Sequence, residues 1–100
     1  MLAPCPRKNM LARMLRNLKV IYLKGQDYGR ALRVVELLLR ADPESAEDVR
    51  DRGILYGALD CYGLAVADLE AFLALAPGAP EVPALSARIA ELRGKAARVH

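Results

Sequence analysis

The chain has 100 residues, which suffices for one compact domain, and a net charge of +3, which is small for a nucleic-acid binder. Apolar residues make up 54% of it, chiefly Leu and Ala, and aromatics only 5%, a composition that favours helices over a sheet. No apolar run approaches the roughly 18 residues needed to span a bilayer, and Arg13, Arg16 and Lys19 interrupt the stretch a signal peptide would need. The expected location is the cytoplasm.

Residues 1–7, with Pro4 and Pro6, read as an extended arm. From Lys8 to Leu23, apolar side chains recur at Leu11, Met14, Leu15, Leu18, Ile21 and Tyr22, which predicts one face of an amphipathic helix. Gly25-Gln26-Asp27 ends it, with Gly25 suited to the left-handed position past a helix end. A second helix is predicted over 28–40, with Ala31, Leu32, Val35, Leu38 and Leu39 as its apolar set. Asp42-Pro43 breaks the chain, since the residue before Pro avoids helical angles.

A third helix is predicted over 45–59, carrying Val49, Ile54, Leu55 and Ala58, and a turn follows at Asp60-Cys61. The fourth covers 62–75, with Ala65, Val66, Leu69, Phe72 and Leu73. After the Pro77–Pro80 break a last helix over 82–97 carries Leu85, Ile89 and Leu92, with Ser86, Arg88, Glu91, Arg93 and Lys95 on its polar side.

Four pairs are separated by thirty-four residues: Tyr22 and Tyr56, Tyr28 and Tyr62, Ala31 and Ala65, Pro43 and Pro77. A fixed period of this size signals a helix-turn-helix repeat. Ala31 and Ala65 are small enough to let antiparallel helices cross closely, and Gly53 is the same device on a facing helix. Tyr22 and Tyr56 fill the other side of that contact, with their hydroxyls near water.

Charge is uneven. Residues 1–26 hold six bases and no acid, which could suit an organelle transit peptide or nucleic acid. Against the first, these residues form the first helix of the first repeat. Against the second, the stretch has no aromatic to stack on bases except Tyr22, which belongs to the repeat core. Cys5, Cys61 and the single His100 do not make a metal-ligand set, so neither metal nor cofactor is expected. Cys61 reads as packing or turn lining and Cys5 as a free thiol on the arm. Nucleophilic catalysis needs a base within hydrogen-bond reach of the nucleophile, and Cys5 and His100 stand at opposite ends of the chain.

Residues 12–45 and 46–79 resemble two tetratricopeptide repeats. The first is carried by Leu15, Leu18, Lys19, Tyr22, Ala31, Val35, Leu38 and Pro43, the second by Val49, Arg52, Gly53, Tyr56, Ala65, Leu69, Phe72 and Pro77. Lys19 stands for the family's Gly, Arg52 for its Leu, and Leu38 and Phe72 for its second Ala. These departures should loosen the helix spacing. The resemblance implies an all-α, α-α superhelix: two helix-turn-helix repeats and a C-terminal capping helix, within a single domain over 8–97.

A narrower resemblance covers Pro6-Arg7, Leu11–Lys19, Ile21–Leu23, Asp51–Tyr56, Asp68–Glu70 and Leu73–Pro77. These runs are similar to the C-terminal repeat region of SirB1-like, transglutaminase-like bacterial proteins. It implies a non-catalytic protein-interaction module that follows a papain-like domain in a longer chain. None of that family's catalytic residues falls on this sequence.

The repeat family also implies a groove lined by the first helices. Its candidate residues are Arg13, Arg16, Asn17, Val20, Leu23 and Lys24 in repeat one, and Glu47, Arg50, Asp51, Ile54, Gly57 and Ala58 in repeat two. Arginines over an apolar floor suit an acidic or C-terminal peptide, because guanidinium matches two carboxylate oxygens. The family's carboxylate-clamp variant has Asn where Val20 stands, which argues against a chaperone-tail clamp. The alternatives are a stand-alone adaptor for an acidic peptide or a weak nucleic-acid-binding domain. No cap precedes repeat one, so an edge of Met10, Leu11, Met14 and Leu18 is expected to be exposed and to dock on an upstream domain or a second copy.

Overall fold

A computed structural model describes residues 6–98, with side chains described from Met10 to Ala97. Those residues form five helices: α1 (Pro6–Lys24), α2 (Tyr28–Ala41), α3 (Ala46–Ala58), α4 (Tyr62–Leu75) and α5 (Val82–Arg98). Helix α1 starts before the predicted Lys8, at Pro6, where a residue without an N–H loses no helical hydrogen bond. The rest of the predicted arm lies outside the described residues.

Each helix packs chiefly on its neighbours in the chain: α1 on α2, α2 on α3, α3 on α4 and α4 on α5. Stacking in one direction gives an elongated body of 52 × 30 × 22 Å. The core runs along it through Ala31, Val35, Leu39, Val49, Leu55, Ala65, Leu69, Phe72, Leu85, Ile89 and Leu92. Tyr22 and Tyr56 pack half-buried against it.

The two alanines at the repeat period are both fully buried. Gly53 marks the tightest approach: an added Cβ would lie 2.9 Å from Leu69 Cγ and 3.1 Å from Asp68 Cβ. Neither of those atoms is the far end of a flexible side chain, so α4 sits where only Gly on α3 admits it.

Both repeats turn in the same way. In the first, the Asp27 N–H donates to the Tyr22 carbonyl at 2.8 Å and the Gln26 N–H to Leu23 at 3.1 Å. In the second, Cys61 N–H donates to Tyr56 at 2.8 Å and Asp60 N–H to Gly57 at 3.2 Å. This crossed pair of bonds is a Schellman end, which needs a left-handed residue. That residue is Gln26 (φ 59°) or Asp60 (φ 64°). Gly25, the expected left-handed residue, sits one position earlier and has no positive φ. The next helix begins at once: the Asp27 carboxylate accepts from the Arg30 N–H at 3.3 Å, capping α2. Cys61 holds the same place before α4, with no side-chain cap bond.

The apolar face expected on α1 divides. Leu15, Leu18 and Tyr22 are half-buried, whereas Met10, Leu11, Met14 and Ile21 are more than half exposed. On α3, Ile54 and Ala58 face out, and the core-facing set is Asp48, Val49, Gly53, Leu55 and Gly57. The core position that apolar periodicity does not mark is Asp48, with 0% exposure.

Candidate functional site

Two surfaces stand out on the first repeat: a charged seam where α1 meets α3, and an uncovered apolar edge. The seam is built around Lys19, the residue standing for the family's Gly. Its ammonium donates to Asp51 at 2.8 Å, Glu47 at 2.9 Å and Asp48 at 3.3 Å. Arg16, one turn earlier, sends both Nη atoms to Asp48 at 3.3 and 3.2 Å and reaches Glu47 at 3.3 Å. Two cations on α1 thus meet three carboxylates on one face of α3.

A buried charge is tolerated only when paired and hydrogen-bonded. Asp48 meets that condition with both oxygens engaged, and among the described residues no buried side-chain N or O lacks a partner. Burial pulls the Lys19 pKa down, but the hydrogen bonds to Asp51 and Glu47 outweigh it and hold the ammonium above the ordinary lysine value. The Lys19 hydrogen bond in turn holds the Glu47 carboxyl below the ordinary carboxylate range. The oxygens of Glu47, Asp48 and Asp51 lie within 4.8 Å of one another, a spacing a cation would accept, and the Lys19 ammonium already provides that charge.

The second departure from the family pattern behaves alike. Arg52, standing for Leu, forks onto Asp68 of α4, Nε to Oδ2 at 2.7 Å and Nη2 to Oδ1 at 2.9 Å. That hydrogen bond holds the Arg52 pKa above the ordinary arginine value. Each departure fastens one helix to another with a charged pair.

The candidate groove residues divide into two groups. Arg13, Asn17, Val20, Lys24 and Ile54 are exposed, and Leu23 is half-buried. Arg16 and Arg50, expected to face a bound carboxylate, hold carboxylates of the chain itself. Arg50 donates to Glu81 at 2.5 Å and to Asp51 at 3.1 and 3.2 Å, and its guanidinium lies 5.9 Å from the centre of the Phe72 ring. Glu47, expected to face the groove, and Asp51, expected beside it, belong with Asp48 to the acids of the seam. Gly57 is buried beside Arg88 and Leu92 of α5, and Ala58 is exposed. Cys61 is exposed at the turn, while Cys5 and His100 lie outside the described residues.

A signal for these pairs was present in the sequence. Arg16 and Glu47 are thirty-one residues apart, and so are Arg50 and Glu81; each member of one pair is thirty-four residues from its counterpart in the other. The same clasp therefore recurs at each junction between one first helix and the next.

The apolar edge lies on the far side of α1. Met14 and Ile21 are 58% and 60% exposed, whereas Asp48 and Leu55, thirty-four residues on, are 0% and 1% exposed. In repeat two those positions are covered by the preceding helices. Beside this edge a cleft of about 140 Å³ opens between α1 and α2, lined by Leu11, Ala12, Leu15, Leu37, Leu38 and Ala41. Among the described residues no helix is long and apolar enough to cross a membrane.

Protein SirB1 of Salmonella typhimurium is 32% identical to this chain over 91 residues, which are 91% of the chain and 34% of that protein. A UPF0162 protein of Xylella fastidiosa (strain Temecula1) is 31% identical over 99 residues, 99% of the chain and 35% of that protein. The UPF0162 protein YchA of Escherichia coli (strain K12) is 32% identical over 91 residues. The chain thus spans about a third of the length of these relatives. The tetratricopeptide repeat profile matches residues 18–90. With five helices stacked in order, paired alanines at the crossings and two identical Schellman turns, the chain belongs to the tetratricopeptide repeat family, whose members serve as protein-interaction modules.

Proposed function

We propose that this chain is the non-catalytic, C-terminal repeat region of a larger transglutaminase-like protein, and that it binds protein through the first repeat. The observation that carries this reading is the pair Ile21 and Leu55: one repeat position, 60% exposed in the first copy and 1% in the second. Leaving a row of such side chains in water forgoes about 25 cal/mol per Å² of apolar area, which a docked partner recovers. The reach of the relatives, nearly three times as long, supports a partner within the same polypeptide. The chain acts in the cytoplasm and has no catalytic chemistry of its own in this reading. An immunoblot of source cells with an antibody to this segment tests it. A band well above 10.9 kDa is expected; a band at 10.9 kDa would instead make the chain a stand-alone adaptor.

A second reading, an acidic peptide in the groove, keeps support from Arg13 and Lys24, which form no ion pair among the described residues, beside exposed Val20 and Ile54. Charge reversal at Arg13 with Lys24, read by peptide affinity at unchanged helicity, tests it; equal affinity would remove it.

A further inference from the structure

We infer that the uncovered edge of α1 receives an amphipathic helix with acidic residues beside its apolar stripe, rather than a further repeat or a second copy of this chain. This rests on the docking role proposed above and names the chemistry of what docks.

The inference comes from comparing the edge with the junction inside the molecule. At that junction α3 presents Glu47, Asp48 and Asp51, and the preceding helix answers with Arg16 and Lys19. The same repeat positions on α1 are Arg13, Met14 and Asn17. The acids have become a cation, an apolar residue and an amide. A unit of the same design, bringing an Arg and a Lys to this place, would press them against Arg13 and find no carboxylate.

At 3.6 residues per turn, Met10, Met14 and Ile21 fall within about 40° of one another around α1, and Asn17, Lys24 and Arg13 occupy roughly the next 60°. The three apolar side chains are 58–62% exposed. No acid occurs anywhere in α1. An apolar stripe bordered by Arg13 and Lys24 is complementary to a helix whose own stripe is bordered by Asp or Glu. The cleft beside Leu11 and Leu37 is large enough for one apolar side chain of that helix.

Neither end of a second copy supplies these acids. Two α1 edges facing each other would oppose Arg13 and Lys24 to themselves. The other end, α5, has Ala84 and Ala87 at the positions of Arg16 and Lys19. Its Glu91 is engaged by Arg88 at 2.7 Å and Lys95 at 3.4 Å, and Glu81 by Arg50.

The test uses two fluorescent helical peptides that share one apolar stripe at i, i+3, i+4 and i+7 spacing. One has Glu at the flanking positions and the other has Lys. Titrated with the whole chain at low salt, the Glu peptide is expected to bind about tenfold tighter, a preference that fades as salt rises. The variant R13E/K24E is expected to invert the preference, with an unchanged helical spectrum because both residues are exposed. Equal binding of the two peptides, or binding of neither, overturns the inference. Equal binding that Met14→Ser with Ile21→Ser abolishes would leave the docking surface standing and remove only its acidic partner. A dimer by light scattering that those two substitutions dissociate would replace that partner with a second copy.

Discussion

Lys19 and Gly53 occupy the same place in successive repeats and join their helices by opposite means. Gly53 admits α4 by having no side chain, with Leu69 Cγ only 2.9 Å from where a Cβ would stand. Lys19 extends a long cation across to three carboxylates of α3. Gly53 joins the two helices of one repeat by contact, and Lys19 joins one repeat to the next by charge.

Gly53→Ala should therefore destabilise the fold. Alanine favours a helix by about 1 kcal/mol over glycine, but overpacking against Leu69 and the Asp68 Cβ costs about 1–3 kcal/mol. The expected net loss is up to about 2 kcal/mol by urea unfolding. Gly94→Ala on α5, where nothing lies within 4 Å of the added Cβ, is the control and should stabilise. A gain at both sites would refute the close approach of α3 and α4.

Removing the Lys19 charge should be worse. Lys19→Met leaves Glu47, Asp48 and Asp51 facing an apolar tip with Arg16 and Arg50 as their remaining cations, and breaking a buried pair costs about 3–5 kcal/mol. The variant should gain helicity when the pH is lowered from about 7 to 4, because three close carboxylates left with Arg16 and Arg50 alone are relieved by protonation. The parent should stay level over most of that range and lose stability only below about pH 4. Circular dichroism of both proteins checks the difference: a variant that does not gain on acidification would contradict it.

The parent's own pH dependence follows from two shifts. Glu47 is held low, so its contribution is present above the unfolded carboxylate pKa of about 4.3 and is lost as pH falls through the depressed folded value. Lys19 is held high, so its contribution is present below the unfolded lysine pKa of about 10.4 and is lost as pH rises through the folded value. Stability from these two groups is thus flat between about pH 5 and 10, with an acid limb shallowed by the 54% exposure of the Glu47 side chain. Melting temperatures across that range test the window; a maximum confined to one end would contradict it.

The left-handed residue at each turn gives a stabilising prediction. A side chain at that φ costs about 1 kcal/mol, which glycine avoids. Gln26→Gly should stabilise by several tenths of a kcal/mol, net of the freedom glycine adds to the unfolded chain. Asp60→Gly should gain less, because Asp tolerates the conformation and its carboxylate accepts from the Tyr62 hydroxyl at 2.9 Å. Paired melts of the two variants rank them.

Copying one repeat into the other gives the last. Asp27 caps α2 through its carboxylate, whereas Cys61 offers α4 no side-chain bond. Cys61→Asp should stabilise by about 0.5–1 kcal/mol, with less gain at high salt. No change in melting temperature would show that the two turns are not interchangeable.

Much of the scaffold was legible because it is local. Tyr22, Ala31, Pro43 and their partners thirty-four residues on fix helix order, and four of the five helices start within a residue of where periodicity puts them. The charged seams were legible only as the recurrence of Arg16 and Glu47 in Arg50 and Glu81, and their buried member was not. Asp48 lies among apolar core positions, and its partners Arg16 and Lys19 are about thirty residues away, so no local pattern marks it. The family pattern gives no hint of what Lys19 and Arg52 do, because a departure from it says only that the usual residue is missing and not which acid the new one meets. Periodicity also could not tell a buried stripe from an uncovered one: Leu15 and Met14 belong to one predicted face, and only the second faces water. Repeat position alone marks the groove candidates, and it cannot reveal that Arg16 and Arg50 already hold acids.

Because each helix packs chiefly on the next in sequence, few stabilising contacts wait for a distant part of the chain to arrive. Loop closure then costs little entropy, and low contact order of this kind goes with folding in microseconds to milliseconds. The α3–α4 pair, locked at Gly53 and by the Arg52–Asp68 fork, is the natural place for order to begin and spread in both directions. A body that assembles helix by helix in this way reaches its full order without a late, long-range closing step.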